Sequence, residues 1–387
     1  MSFLRTRTRG TTPNPLLPHQ EGNNNQNDEA NKGNQKSFIQ RNKAPLITMI
    51  TLVLFLHTCT SIFTTHTLSL NIIKEIPALM SIKKKTEDMA APMGEIIYGA
   101  KSKGDDTAKL VTQAIQTGFR HIATGGFHSE YNEPGVGVGW KASGVPRNKL
   151  FLQTLFVAQT VNGYGAQNCI FSEQECPPAS TLSIEDQVHL SIQSSLHNLQ
   201  TNYIDAVLIR NFRAKVQPYE ETLRVWRVLE DYVDRGIVRH LGIVSVHNKE
   251  YIQNLYDAAR VKPTIIQNRF HGNRGYDIEL RPLFQELGMA NQLFWVLTGS
   301  AGGRVRNEVV VKMAEKKGVS PQNILYALTM AIGGSPLIGT KSLEHMREDV
   351  DALLVRGVTL EGEDLVAVAG TVNKNLVVVA ANNNVAE

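Results

Sequence analysis

Apolar stretches with strand character alternate with amphipathic stretches of helical period along most of the chain after Gly94. The predicted strands are Glu95–Gly99, Phe119–Thr124, Leu150–Phe156, Tyr203–Ile209, Val238–Val244, Pro263–Asn268, Gln292–Thr298 and Pro336–Ile338. The predicted helices are Asp105–Thr117, Asn132–Ser143, Ile184–Gln200, Tyr219–Arg235, Lys249–Arg260, Asp277–Leu287, Asn307–Lys317, Pro321–Ile332 and Ser342–Leu354. Such an alternation over roughly 260 residues is the size of one (β/α)8 TIM barrel.

The strands are almost continuously apolar, which is typical of a parallel sheet covered by helices on its outer face. A doubly wound sheet shares the alternation, but no Gly-x-Gly-x-x-Gly opens the first unit, so a dinucleotide-binding Rossmann fold is set aside. The barrel is therefore assigned to residues 92–356. Residues 357–387 are predicted to be a C-terminal tail, whose Val/Ala run from Glu361 is expected to be peripheral.

The N-terminal part has a different composition. Residues 1–43 are polar and rich in Asn, and we expect them to be disordered. Residues 44–63 carry no formal charge and match the length of a bilayer-spanning helix. They are interpreted as a signal-anchor helix, a cleaved targeting signal or a soluble amphipathic segment. The first two place the protein at a membrane or in a secretory or organellar route. Residues 64–91 are predicted to be a linker.

A long loop, Val157–Ser183, follows the third predicted strand, and loops of this length in a compact domain are usually functional. It contains Cys169 and Cys176, which we expect to form a disulfide only if the domain lies in an oxidising compartment.

Composition excludes several classes of function. The chain of 387 residues is 42% hydrophobic and 20% charged, as expected of a globular protein, with a net charge of +4. No basic stripe indicates a nucleic-acid partner. The three Cys and eleven His do not cluster at metal-ligand spacing, so no metal site is predicted.

The loop after the second predicted strand is the first candidate for chemistry. Gly125 and Gly126 end the strand, and Tyr131 follows before the next helix. In α/β barrels, functional side chains lie in loops at the C-terminal ends of the strands. Tyr131 is therefore a candidate functional residue, although an exposed turn Tyr is the plain alternative.

Seven stretches in order resemble the aldo-keto reductase family. They are GFRHIATGGFHSEYNEPGVGVGW (118–140), NKLFLQTLF (148–156), LHNLQTNYIDAVLIRNF (196–212), YVDRGIVRHLGIVSV (232–246), KPTIIQNRF (262–270), LFWVLTGS (293–300) and PLIGTKSLEHMREDV (336–350). The resemblance implies a barrel that binds NADPH and transfers a hydride between the nicotinamide and a small-molecule carbonyl, with a monomer expected.

The resemblance also implies a catalytic tetrad of Asp, Tyr, Lys and His, of which this chain keeps one. The Asp falls on Ala123, the Tyr on Tyr131, the Lys on Leu155 and the His on Arg210. In the family the Lys lowers the pKa of the Tyr, which ordinarily titrates near 10 and is a poor acid at pH 7. Arg210 is expected to point into the mouth of the barrel as a fixed cation.

For the cofactor, the resemblance implies a Ser-Asn pair that falls on Val244 and Ser245, with Gln267 retained beside it. The ring that stacks on the nicotinamide falls on Phe294, or on Trp295 with a slip of one residue. The phosphate-binding residues implied at the start of the last helix are Thr340, Lys341, Ser342 and His345.

Two functional hypotheses follow. In the first, the protein is an NADP-dependent oxidoreductase with altered or weak chemistry that uses Tyr131 and Arg210. In the second, it is a non-catalytic barrel that serves as a cofactor sensor or a membrane-tethered scaffold, because three tetrad residues are replaced.

Overall fold

The computed structural model describes residues 93–127, 129–158, 182–210 and 219–376, all within one compact unit, Ala78–Glu387. Eight parallel strands form a closed barrel in which each strand pairs with the next and the eighth pairs with the first. They are β1 (Ile97–Gly99), β2 (His121–Ala123), β3 (Phe151–Phe156), β4 (Ile204–Arg210), β5 (Val238–Val244), β6 (Ile265–Arg269), β7 (Ala290–Phe294) and β8 (Gly334–Ile338). The predicted (β/α)8 barrel is thus confirmed.

Helices surround the barrel in the described part of the chain. They are α1 (Thr107–Thr117), α2 (Glu133–Ala142), α3 (Ile184–Asn198), α4 (Tyr219–Asp234), α5 (Lys249–Ala258), α6 (Arg281–Glu286), α7 (Glu308–Lys317), α8 (Pro321–Ala331), α9 (Leu343–Val350) and α10 (Gly362–Val372). Local sequence accounts for several of their ends. The Ser183 side chain accepts a hydrogen bond from the Asp186 backbone N–H and so caps α3. Gly236 has a φ of +69°, which favours glycine, soon after α4 ends.

Alternate side chains of each strand point to opposite faces, which gives the barrel two apolar regions. The larger lies between the strands and the helices. The smaller lies inside the barrel and includes Phe151, Leu155, Leu208, Val244 and Ile265. Side chains at the C-terminal strand ends rest on this inner cluster, and that end of the barrel is called the mouth below.

A buried amide network crosses the barrel interior. The side chains of Gln153 and Gln292 exchange two hydrogen bonds, each 2.9 Å between nitrogen and oxygen, and Gln267 donates to Gln292 at 2.8 Å. The His121 ring contacts Gln153 at 3.2 Å, and burial lowers the pKa of His121 to about 3. His121 is therefore neutral at pH 7, and the network links β2, β3, β6 and β7 without a buried charge.

Two regions differ from the predicted elements. The seventh strand ends at Phe294 rather than Thr298, because Trp295 takes a φ of +68° and turns the chain. The sixth helix begins at Arg281 rather than Asp277, because Tyr276 and Asp277 have positive φ values of 56° and 52°. These conformations depend on tertiary packing, which hydrophobic periodicity does not report.

The C-terminal segment was predicted to be a tail, and part of it is a packed helix. Leu365, Val368 and Ala369 of α10 are buried and join the main hydrophobic cluster.

The predicted tail, hydrophobic segment and linker of residues 1–91, and the Cys169–Cys176 pair, lie outside the described residues. Within the described ranges, no helix is long and apolar enough to cross a membrane.

The contact between α2 and α3 generates a prediction of stability. A Cβ on Gly137 would lie 2.0 Å from the backbone oxygen of Asn198, so Gly137→Ala must push the two helices apart. We expect it to lower the free energy of unfolding by about 1–3 kcal/mol, measured by urea denaturation. Gly370 of α10 has no heavy atom within 4 Å of its own added Cβ. Gly370→Ala should therefore raise stability by about 0.5–1 kcal/mol as the control. Equal effects of the two changes would contradict this account.

Candidate active site

A cavity of about 830 Å³ opens at the mouth of the barrel, a volume typical of small-molecule sites. One end of the cavity lies over the C-terminal ends of the strands, and the other end reaches the start of α9. The predicted site residues that line it are Tyr131, Arg210, Gln267, Phe294, Trp295, Thr340 and His345. Residues brought together from five separated parts of the sequence thus face one space.

The loop after β2 places Tyr131 in the cavity wall. The Tyr131 backbone N–H donates to the Phe127 carbonyl at 3.2 Å, and the two rings pack edge to face with centroids 5.0 Å apart. The Tyr131 ring lies over Gly125, where an added Cβ would be 3.0 Å from two ring carbons. The absence of a side chain at Gly125 therefore allows the Tyr131 ring to pack closely against the backbone, in a half-buried position.

Beneath Tyr131 the cavity is apolar. Ala123 and Leu155 both line it and are 5% and 4% exposed. Burial raises the pKa of Tyr131 above its usual value of 10, and Glu130 adds to the effect while Arg210 opposes it. At pH 7 the Tyr131 side chain is a neutral phenol that can donate a hydrogen bond.

Arg210, the last residue of β4, carries a fixed positive charge that acts on this phenol. Its guanidinium forms an ion pair with Glu130 at 2.7 Å and lies 5.2 Å from the centre of the Phe127 ring. Glu130 also pairs with Lys101 at 3.0 Å. Burial favours the neutral form of Glu130, but the hydrogen bonds from Arg210 and Lys101 outweigh it and lower the pKa of Glu130. This carboxylate is therefore ionised and ties the Tyr131 loop to β4.

Phe294 and Trp295 occupy different positions at the mouth. Phe294 packs against the inner apolar cluster, whereas Trp295 is 40% exposed. The guanidinium carbon of Arg269 lies 3.8 Å from the centre of the Trp295 ring and 5.8 Å from that of Phe294. One face of Trp295 is thus covered by an arginine.

The other end of the cavity is formed by the chain between β8 and α9. The Tyr98 hydroxyl donates to the Thr340 carbonyl at 3.1 Å, and the Lys103 ammonium donates to the Gly339 carbonyl. Lys103 is 5% exposed. Burial, together with the charge of Lys341, lowers the pKa of Lys103 to about 8. The charges of Lys103 and Lys341 therefore repel each other at this end of the cavity.

Three predicted cofactor residues are not among the described residues that line the cavity. Ser245 lies just after β5 with a φ of +62°, and its backbone N–H donates to the Gln267 carbonyl. The Ser342 hydroxyl accepts from the His345 backbone N–H and caps α9, and Lys341 is exposed beside the cavity. Their proposed contacts with a cofactor stay predictions.

Four cavity residues were missed at the sequence level: Lys101, Lys103, Arg269 and Asp349. Arg269 follows Gln267 by two residues on the same strand, so alternation alone would have placed it on the inner face. Lys101 and Lys103 follow the first strand directly, at the end of the barrel where function is expected. Burial raises the pKa of Asp349 to about 7, and Asn323 donates to its carboxyl at 2.6 Å.

The types and positions of the residues that line the cavity fit a nicotinamide adenine dinucleotide phosphate. The mouth supplies an aromatic ring at Phe294 and an amide at Gln267, and the far end supplies the backbone of Thr340 beside Lys103. A helix start with nearby lysines attracts phosphate. The cavity joins the two ends, as an extended dinucleotide requires.

Comparison with known proteins identifies the family. A model of the aldo/keto reductase family matches residues 95–361. An uncharacterized oxidoreductase of Schizosaccharomyces pombe is 28% identical over 270 residues, which are 69% of this chain and 84% of the relative. Glyoxal reductase of Bacillus subtilis is 31% identical over 222 residues, which are 57% of this chain and 68% of the relative.

A solved structure supports the same fold. The crystal structure of an aldo/keto reductase from Brucella melitensis superposes with a TM-score of 0.59 at 22% identity, covering 72% of this chain and 94% of the other. Because the family model spans more than half of the sequence and the barrel is closed, this chain belongs to the aldo/keto reductase family.

Proposed function

We propose that this protein is an NADPH-dependent reductase of small carbonyl compounds that uses Tyr131 and Arg210 in place of the family's tetrad. The observation that carries the proposal is the convergence of these two side chains with Gln267 and Phe294 on one cavity. The match to a glyoxal reductase supports a small aldehyde as the substrate.

NADPH, when bound, supplies a hydride that forms a C–H bond at the carbonyl carbon and leaves NADP⁺, while a proton must reach the carbonyl oxygen. In this site the Tyr131 phenol donates a hydrogen bond to that oxygen and then the proton. The Arg210 guanidinium stabilises the negative charge that develops there. An alkoxide is a far stronger base than a phenolate, so the transfer stays favourable although burial raises the pKa of Tyr131.

The apolar surroundings make this chemistry slower than that of a complete tetrad. Ala123 and Leu155 offer no charge to stabilise the tyrosinate left after proton transfer. Among the described residues, Arg210 offsets that charge, and it is already paired with Glu130. We therefore expect low turnover. The same apolar surroundings support the second candidate, a barrel that binds the cofactor without turnover.

Replacement of the phenol tests the proposal. Tyr131→Phe should lower kcat/KM for NADPH-dependent aldehyde reduction by about 10²–10⁴-fold, because it removes the proton donor. NADPH affinity, followed by fluorescence titration, should stay within about twofold, because the hydroxyl is assigned to the carbonyl.

Tyr203→Phe is the matched control. Tyr203 precedes β4 at the opposite end of the barrel, and its buried hydroxyl has no hydrogen-bond partner in the described chain. It should leave kcat/KM unchanged. A wild-type protein that binds NADPH but reduces no aldehyde would favour the non-catalytic barrel. Full activity in Tyr131→Phe would remove Tyr131 from the mechanism.

The far end of the cavity predicts a pH dependence of cofactor affinity. Lys103, whose pKa is lowered to about 8, loses its charge as pH rises from 7 to 9, and Asp349, with a pKa of about 7, gains one. Both changes disfavour a polyanion. NADPH should therefore bind about 3- to 10-fold more weakly at pH 9 than at pH 7, measured by calorimetry.

Lys103→Arg is the control for this dependence, because an arginine keeps its charge throughout the range. Its NADPH affinity should change less between pH 7 and pH 9 than that of the parent. An identical pH profile in both proteins would show that Lys103 does not face the bound phosphates.

A further inference from the structure

Positive charge is concentrated at the mouth of the barrel. Lys101, Arg210 and Arg269 all line the cavity there. Glu130 is paired with both Lys101 and Arg210, so one carboxylate serves two cations. Among the described residues, the mouth thus carries more positive than negative charge close to where a carbonyl would react.

Among the described cations at the mouth, Arg269 is the one without an ion-pair partner. As the last residue of β6 it lies on the same face as Gln267, and its guanidinium rests on Trp295 at 3.8 Å. None of the ion pairs in the described ranges includes Arg269. Burial lowers the pKa of Arg269, and the positive charges of Arg274 and Arg210 add to this effect.

This arrangement costs free energy on its own. A half-buried guanidinium beside two others loses hydration and gains repulsion, and stacking on an indole recovers only part of that cost. An anion in the cavity would reverse both contributions. The guanidinium edge matches a carboxylate, which can accept two parallel N–H hydrogen bonds from it.

We propose that the natural substrate is a carbonyl compound that also carries a carboxylate, and that Arg269, held against Trp295, binds this carboxylate. This inference rests on the proposed reductase function and adds its substrate class. Arg210 faces the reacting carbonyl beside Tyr131, and Arg269 on the neighbouring side of the mouth holds the acid group. Because Arg210 already forms an ion pair with Glu130, Arg269 is the residue that distinguishes acidic from neutral substrates.

The test compares two aldehydes that differ at a remote group, which is a carboxylate in one and its neutral methyl ester in the other. The full chain is assayed with NADPH and either 4-formylbenzoate or its methyl ester. We expect kcat/KM to be at least about tenfold higher for the acid. Arg269→Met should lower kcat/KM for the acid by about 10- to 100-fold, mainly through KM, and leave the ester within about twofold.

Arg235→Met is the matched control. Arg235 also stacks on an aromatic ring, with its guanidinium carbon 5.0 Å from the centre of Tyr232. However, it follows α4 at the end of the barrel opposite the mouth. This change should leave the preference for the acid intact. Loss of the preference in Arg235→Met would mean that it reflects general stability or net charge, and would overturn the assignment to Arg269.

The outcomes separate the inference from the function beneath it. Reduction of both aldehydes at equal rates overturns the carboxylate site and leaves the reductase standing. A preference confined to a phosphorylated aldehyde, such as glyceraldehyde 3-phosphate over glyceraldehyde, also overturns it.

If neither compound is reduced, the reductase proposal fails, and the anion site is tested alone by tryptophan fluorescence titration with terephthalate. Saturable binding that Arg269→Met abolishes supports the site. The absence of binding, or binding that survives Arg269→Met, overturns it.

Discussion

The two-residue repeat of side chains along eight parallel strands decides what this protein can place at its mouth. Each strand contributes to the cavity only those residues that point inward near its C-terminal end. Ala123, Leu155, Arg210 and Phe294 are such residues, on β2, β3, β4 and β7. A register shift of one residue in any strand would exchange them for side chains that now pack under the helices. The composition of the site is therefore inseparable from the closure of the barrel.

Within that geometry, the base of the cavity is apolar and its rim is charged. A carboxylate at position 123 and an ammonium at position 155 would need each other, since either alone would be a buried unpaired charge. Ala123 and Leu155 avoid the cost together and leave an apolar surface. Arg210 supplies a cation from β4 instead, and the solvent-accessible Glu130 balances it. The phenol of Tyr131 consequently sits between an apolar base and a charged rim.

Sequence patterns were sufficient to predict the barrel but not the arrangement of the residues at its rim. Continuous apolar strands, the Ser183 cap and the glycine after α4 are local features, and the strands and helices that they define lie where the sequence predicts them. The turn at Trp295 is not local, because a positive φ in a tryptophan is maintained by surrounding packing. Arg269 was within reach of the alternation rule once Gln267 was placed on the inner face. That Arg269 has no carboxylate partner in the described chain could be seen only in the structure, because ion pairs join residues that are far apart in sequence.

The turn at Trp295 also gives the two neighbouring aromatic residues separate tasks. Phe294 follows the strand alternation and packs on the inner cluster, so its ring is the one directed over the centre of the mouth. Trp295 leaves the strand direction and holds Arg269 at the rim, where one of its faces is already covered. A planar nicotinamide needs an open ring face, which favours Phe294 as its stacking partner under the proposed function. Under the same proposal, Trp295 lies on the substrate side, where its ring holds the guanidinium of Arg269.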